Sequence, residues 1–193
     1  MTTTTQPTVC EVRSGLINEI SNAAKKFAEH EVRQTLDQGM FRAWRCQKPG
    51  TWVMGFDVFT TPGRLVVSGG IGFLAVERTN DMIAWSRSAV NSISYFAEKV
   101  PREIKVKEHS ADVVRAWIHE TLAEENLKEA YRTALTNLLE WTDLGWAHRV
   151  AEELHDSGVV DGCDYPDFNV YTRSFLWCRE AVKLLLSKLP PSP

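Results

Sequence analysis

Between residues 40 and 79 the chain carries six of its eleven glycines, two prolines and a dense set of β-formers. No other feature constrains the fold as strongly. Trp52, Met54, Phe56 and Val58 alternate along residues 52–60, the period of a strand with one buried face. Pro62-Gly63 suits the centre of a type II turn, because proline presets φ and glycine accepts a positive one. Leu65–Val67 then runs into Gly69-Gly70, and residues 71–77 form the next strand. With Phe41–Cys46 ahead of Pro49-Gly50, the block predicts four short strands joined by tight turns. Such turns permit only antiparallel pairing, since parallel strands need crossovers of a dozen residues or more.

The flanks read as helices. A first helix is expected from Glu11 to Leu36, with Ile17, Ile20, Ala24, Phe27 and Ala28 inward and Gly39 as its C-cap. After Asn80, an N-cap residue, Met82, Trp85, Ala89, Ile93 and Phe96 trace one stripe over 81–99. Ser110 caps a helix with Val113, Val114, Trp117 and Ile118 inward, and Leu127, Ala130, Ala134, Leu135 and Leu138 mark the next. A short helix follows with Trp146, Val150, Ala151 and Leu154, stopped by Gly158. The last stripe is Tyr171, Phe175, Cys178, Val182, Leu185 and Leu189. The expected class is α+β: an N-terminal helix, a four-stranded antiparallel meander, and a helical half of about five helices. Residues 1–8 are expected as a disordered tail, 9–109 as the sheet-bearing domain and 110–193 as a helical subdomain packed on it in one compact unit, with one sheet face packed on the helix of 81–99.

The 193 residues carry a formal net charge of −3, which hides an asymmetry. Residues 110–168 hold four Lys/Arg against thirteen Asp/Glu, a net of −9 between weakly basic flanks. An acidic face repels nucleic acid and favours basic protein surfaces; the alternative is a set of solvated helix faces. No apolar run approaches the ~18 residues of a membrane span. The N-terminus lacks the basic and apolar regions of a secretory signal. Four cysteines stand far apart with no C-x-x-C pair, against a zinc ribbon or a disulfide framework. A reducing cytosol is the expected compartment.

Candidate chemistry is sparse. Gly69-Gly70-Ile71-Gly72 precedes a strand rather than a helix, and neither a P-loop nor a dinucleotide fingerprint exists. No nucleophile elbow is found. His148, Glu152 and His155 share one face of a helix and could hold a divalent metal, as a hydrolase would need, although that face lies opposite Val150 and Leu154. Asp156, Asp161, Asp164 and Asp167 crowd one acidic loop without EF-hand spacing. Arg42, Arg45 and Arg64 beside Trp44 and Trp52 are the ingredients of a nucleic-acid stacking platform. No cofactor is implied. The preferred contact set for a basic partner is Glu124, Glu125, Asp143, Glu152, Glu153, Asp156, Asp161 and Asp164, with Trp141 beside them.

Trp44-Arg45-Cys46, Pro62-Gly63-Arg64-Leu65, Gly69-Gly70-Ile71-Gly72, Asp81-Met82-Ile83-Ala84-Trp85 and Tyr95-Phe96-Ala97-Glu98-Lys99 carry a further signal. Over about residues 40–100 the chain resembles an uncharacterised family of short proteins encoded in tailed phages and prophages. Gly70 stands where that family commonly has an acidic residue. The resemblance implies a phage accessory origin and supplies no activity. Combined with the acidic segment, it leads to the expectation of a non-catalytic binder of a bacterial protein complex, most concretely an anti-CRISPR or other anti-defence inhibitor.

Overall fold

The computed structural model describes residues 6–141, 147–159 and 167–191, without the side chains of residues 19, 21–24, 147 and 148. The chain divides into two compact units, one of residues 18–106 and 171–193, the other of residues 1–17 and 107–170. The division after residue 17 falls within the residue range of the first helix, α1 (Val9–Ala23).

The first unit is built on a five-stranded antiparallel meander in sequence order. Its strands are β1 (Glu31–Gln38), β2 (Phe41–Gln47), β3 (Phe56–Thr61), β4 (Arg64–Gly69) and β5 (Gly72–Glu77). The α+β class and the antiparallel sheet agree with the sequence reading; the strand number does not. Residues 31–38, expected as the end of a long helix, form β1. A 3-10 turn, Ala24–Phe27, ends the helical part and β1 pairs along β2. Gly39 does turn the chain, at φ +65°, but between two strands. A left-handed glycine serves a helix terminus and a hairpin equally well. The strand expected at residues 52–60 begins only at Phe56. Met54 sits at φ +59° in a turn closed by the Gly55 N–H on the Trp52 carbonyl at 2.8 Å. The buried imidazole Nε2 of His30 lies 3.1 Å from the Met54 carbonyl and fixes the same turn.

Pairing register places Trp44, Val58, Val67 and Leu74 in one row across the sheet, and Phe56 beside Cys46. These side chains are fully or almost fully buried. They are covered chiefly by the C-terminal helix, numbered α7 here, Arg173–Lys188, which packs on β5 and β4. Helix α2 (Met82–Ala89) packs on β3, β4 and α7. The helix expected over 81–99 is thus two pieces, α2 and α3 (Ile93–Ala97). The break lies at Asn91-Ser92, where Ser92 caps α3. Buried Arg179 holds it by donating from Nε to the Val90 carbonyl at 2.8 Å and from Nη2 to that of Asn91 at 3.2 Å. Asp81, not Asn80, is the α2 N-cap, accepting from the amides of Ile83 and Ala84 at 3.0 and 3.1 Å.

The second unit packs α4 (Ala111–Leu122), α5 (Glu129–Leu139) and α6 (Ala147–Asp156) around Val113, Ile118, Leu135, Leu138, Val150 and Leu154. A short two-stranded ribbon joins β6 (Lys107–His109) to β7 (Asn169–Tyr171). Phe168, 7% exposed, closes the core against Trp117 with ring centroids 5.3 Å apart.

Candidate functional site

The division into units sorts the charge. The helical unit contains six Lys/Arg against fifteen Asp/Glu, a net of −9, and the sheet unit sixteen against ten, a net of +6. The near-neutral total is therefore the difference between an acidic and a basic unit.

The acidic surface is assembled by local structure. Between α4 and α5 the chain turns through residues 123–128. Arg132 reaches back from α5 to the Leu122 carbonyl at 2.9 Å and the Glu124 carbonyl at 3.3 Å. This guanidinium fixes the turn by its backbone and leaves the Glu124 and Glu125 carboxylates exposed. Glu129 and Glu140, exposed on α5, extend the set. On α6 the burial of Val150 and Leu154 turns Glu152, His155 and Asp156 outward, while Glu153 is half-buried. Among the described residues, the side chains of Glu124, Glu125, Glu129, Glu140 and Glu152 make no ion pair; Asp156 lies 3.4 Å from the ring of its neighbour His155. Trp141 is half-buried, with the Arg149 guanidinium 5.2 Å above its ring. Asp143, Asp161 and Asp164 lie outside the described residues. Asp167 pairs with Lys107 at 3.1 Å. Burial pushes its carboxyl up, but hydrogen bonds from Asn169 and the Lys107 charge outweigh this and hold it below the usual carboxylate range.

The metal constellation is met only in part. Glu152 and His155 share the exposed face of α6, and the side chain of His148 lies outside the described set. Among the described residues, no group of three His, Cys, Asp or Glu side chains is placed to hold a metal ion.

The stacking platform is not assembled as the sequence reading drew it. Successive side chains on a strand point to opposite faces. Arg42 and Trp44 therefore take the face of β2 opposite to Arg45. Trp44 is 2% exposed and offers no ring for a base. Arg42 pairs with Asp81 at 3.3 Å. On the other face Arg45 makes a two-pronged pair with Asp57, at 2.9 and 3.1 Å, and lies 5.1 Å over the Trp52 ring. Arg64 is bound to Glu77. Carboxylates on β3, on β5 and at the N-cap of α2 thus occupy the three guanidiniums meant for phosphate.

Sequence reasoning missed the apolar row on that outer face. Register aligns Leu36, Ala43, Phe59, Val66 and Ala75 across all five strands, with Phe59 43% and nearby Phe73 53% exposed. Alternation within single strands gives no hint of it, because the row exists only once five registers are fixed. No helix among the described residues is long and apolar enough to cross a membrane. Compared with family models, characterised proteins and solved structures, the chain matches none.

Proposed function

We propose that this chain acts by stoichiometric binding, its acidic helical unit engaging a basic surface on a bacterial protein complex. The phage-like middle of the sequence supports placing it among phage or prophage accessory proteins, with an anti-defence inhibitor, such as an anti-CRISPR protein, as the most concrete form. One observation carries the reading: the −9 charge is confined to one compact unit, where Glu124, Glu125, Glu129, Glu140 and Glu152 are exposed and make no ion pair among the described residues. Such a surface is complementary to a groove made for nucleic acid, where opposite potentials speed encounter and select partners.

The test is capture from a bacterial lysate, at low and physiological salt, by the chain and by a variant carrying Glu124→Lys, Glu125→Lys, Glu152→Lys and Asp156→Lys. The expected result is recovery of a nucleic-acid-binding complex that weakens with salt and falls at least tenfold in the variant, as for rim charges that steer association. Equal recovery by both proteins at low salt sinks the reading. Capture that depends instead on Arg45 or Arg64 moves the contact to the sheet.

A further inference from the structure

The helices of the sheet unit pack on one face of the meander, and the other face keeps its apolar side chains in solvent. Among the described residues, every exposed large hydrophobic side chain lies between residues 36 and 73. Register explains why they gather. The middle row of the outer face holds Leu36, Phe59 and Val66. One flanking row holds Phe41, Arg64 and Glu77, the other Arg45, Asp57 and Phe73. Trp52 joins the second flank, because Arg45 lies 5.1 Å over its ring. Phe41, Trp52, Phe59 and Phe73 are 50%, 44%, 43% and 53% exposed. At roughly 150–250 Å² per aromatic side chain, these four alone present about 400 Å² to solvent. A contiguous apolar patch of that size marks an interaction surface.

Shape, charge and area select the occupant. An antiparallel sheet with helices on one face and an apolar row on the other is half of a sandwich, whose inner face meets a second sheet about 10 Å away. The other sheet among the described residues is the β6–β7 ribbon, whose three-residue strands are too short to cover five longer ones. A second copy brings a sheet of the same width. A twofold contact places the same patch on both sides, so a strongly charged patch repels itself. Here Arg45 is paired with Asp57 and Arg64 with Glu77, which leaves Arg33 as the remaining charge in the three rows. Such a face accepts its own copy and offers a polyanion little. Five strands at ~4.8 Å and six residues at ~3.3 Å make a footprint of about 24 by 20 Å. Two such faces bury on the order of 1,000 Å² together, the low end of specific interfaces and the size of a reversible dimer.

We propose that two copies of this chain associate through the outer faces of their meanders, with Phe41, Trp52, Phe59 and Phe73 of each packed against the other sheet, to form a reversible homodimer. The interface belongs to the sheet unit and does not depend on the acidic surface. A dimer carries two acidic units, so a basic partner with two sites gains from their effective concentration.

The experiment is sedimentation velocity of the full chain from about 1 μM to 1 mM, the range that brackets a weak interface of this area. A monomer–dimer equilibrium is expected, with a dissociation constant on the order of 10–100 μM. Raising the salt is expected to leave it unchanged or tighten it, since an apolar contact is not screened. Phe59→Lys with Phe73→Lys, in a protein shown to be folded by circular dichroism, is expected to weaken the dimer at least tenfold, as loss of central aromatic anchors does. Phe41→Lys, on the opposite flank, gives the same readout if the double variant loses its fold. Glu124→Lys with Glu125→Lys is expected to leave dimerisation unchanged, which separates this test from that of the acidic contact. A monomer throughout the range overturns the proposal. So does a dimer that survives the lysines, which places the contact elsewhere, such as the β1 edge. A monomer whose capture from lysate is abolished by Phe59→Lys also overturns it and gives the face to a foreign partner.

Discussion

Cys46 and Cys178 lie in the core of the sheet unit, and burial pushes each thiol up to about 12, with the nearby Asp57 charge adding to the effect at Cys46 and a Ser174 hydrogen bond opposing it at Cys178. Cys10 is exposed. Because the thiolate is the reactive form, alkylation of the folded protein at pH 8 is expected to modify Cys10 and spare Cys46 and Cys178 until denaturant is added, as read by peptide mass spectrometry. Asp81 offers a second check at this scale. Burial raises its carboxyl, but the Ala84 amide, the Arg42 guanidinium and the Ile83 amide outweigh burial and hold it below the ordinary aspartate range. A depressed folded value means stability that is present above the unfolded value and lost as pH falls through the folded one. Asp81→Ala should therefore cost about 1 kcal/mol near neutrality, the usual worth of an N-cap. Denaturant melts of the two proteins should converge in acid, whereas Asp81→Asn keeps most of the cap. Part of this scale was open to sequence reasoning: Cys178 was placed on a buried stripe, whereas the cap of α2 was expected one residue early, at Asn80. The surroundings of Trp44 were not, because which face of β2 is covered depends on α2 and α7, distant in the chain.

Elements show where local signals stop being sufficient. Strand β1 is exposed along almost its whole length, with only Val32 half-buried, so no buried face marks its period. Its identity comes from hydrogen bonding to β2, which no pattern inside residues 31–38 reveals. The stripe over 81–99 was real, since Met82, Ala89 and Phe96 are all buried. The stripe nevertheless hides a break, because Arg179 supplies the donors that the freed Val90 and Asn91 carbonyls need. Arg179 is 7% exposed, and its burial lowers its own guanidinium value against the pull of Glu180. Replacing it by alanine should cost about 3 kcal/mol, since it strands buried acceptors. Lysine should not restore the loss, having no planar fork to span two carbonyls. The second test concerns the sheet. A Cβ on Gly69 would stand 2.4 Å from the Gly55 carbonyl oxygen and 2.6 Å from the Phe56 Cα, both backbone atoms. Gly69→Ala is expected to destabilise by about 2–3 kcal/mol in chemical denaturation, through strain that rigid backbone cannot relieve.

Across the whole molecule, the charge is the property that changes meaning. A unit with fifteen acidic and six basic residues repels itself, and the repulsion weakens as salt shortens the screening length to about 8 Å at physiological ionic strength. Hydrogen exchange of α5 and α6 amides should accordingly slow on moving from low to physiological salt, while β2 and β3 amides change little. Equal salt responses in both units would show that the carboxylates are already neutralised. The amino-acid sequence by itself determined the antiparallel meander, four of the strands, the stripes of α4, α5 and α7, and the acidic run. Turn chemistry and apolar period are local quantities, legible wherever an element buries one face. Only the tertiary structure decided that residues 31–38 form a strand, that Trp44 points inward, and that acidic and basic residues separate into two units. Each of those follows from contacts between segments far apart in the chain, where hydrogen-bond register and burial, not neighbouring residues, set the outcome.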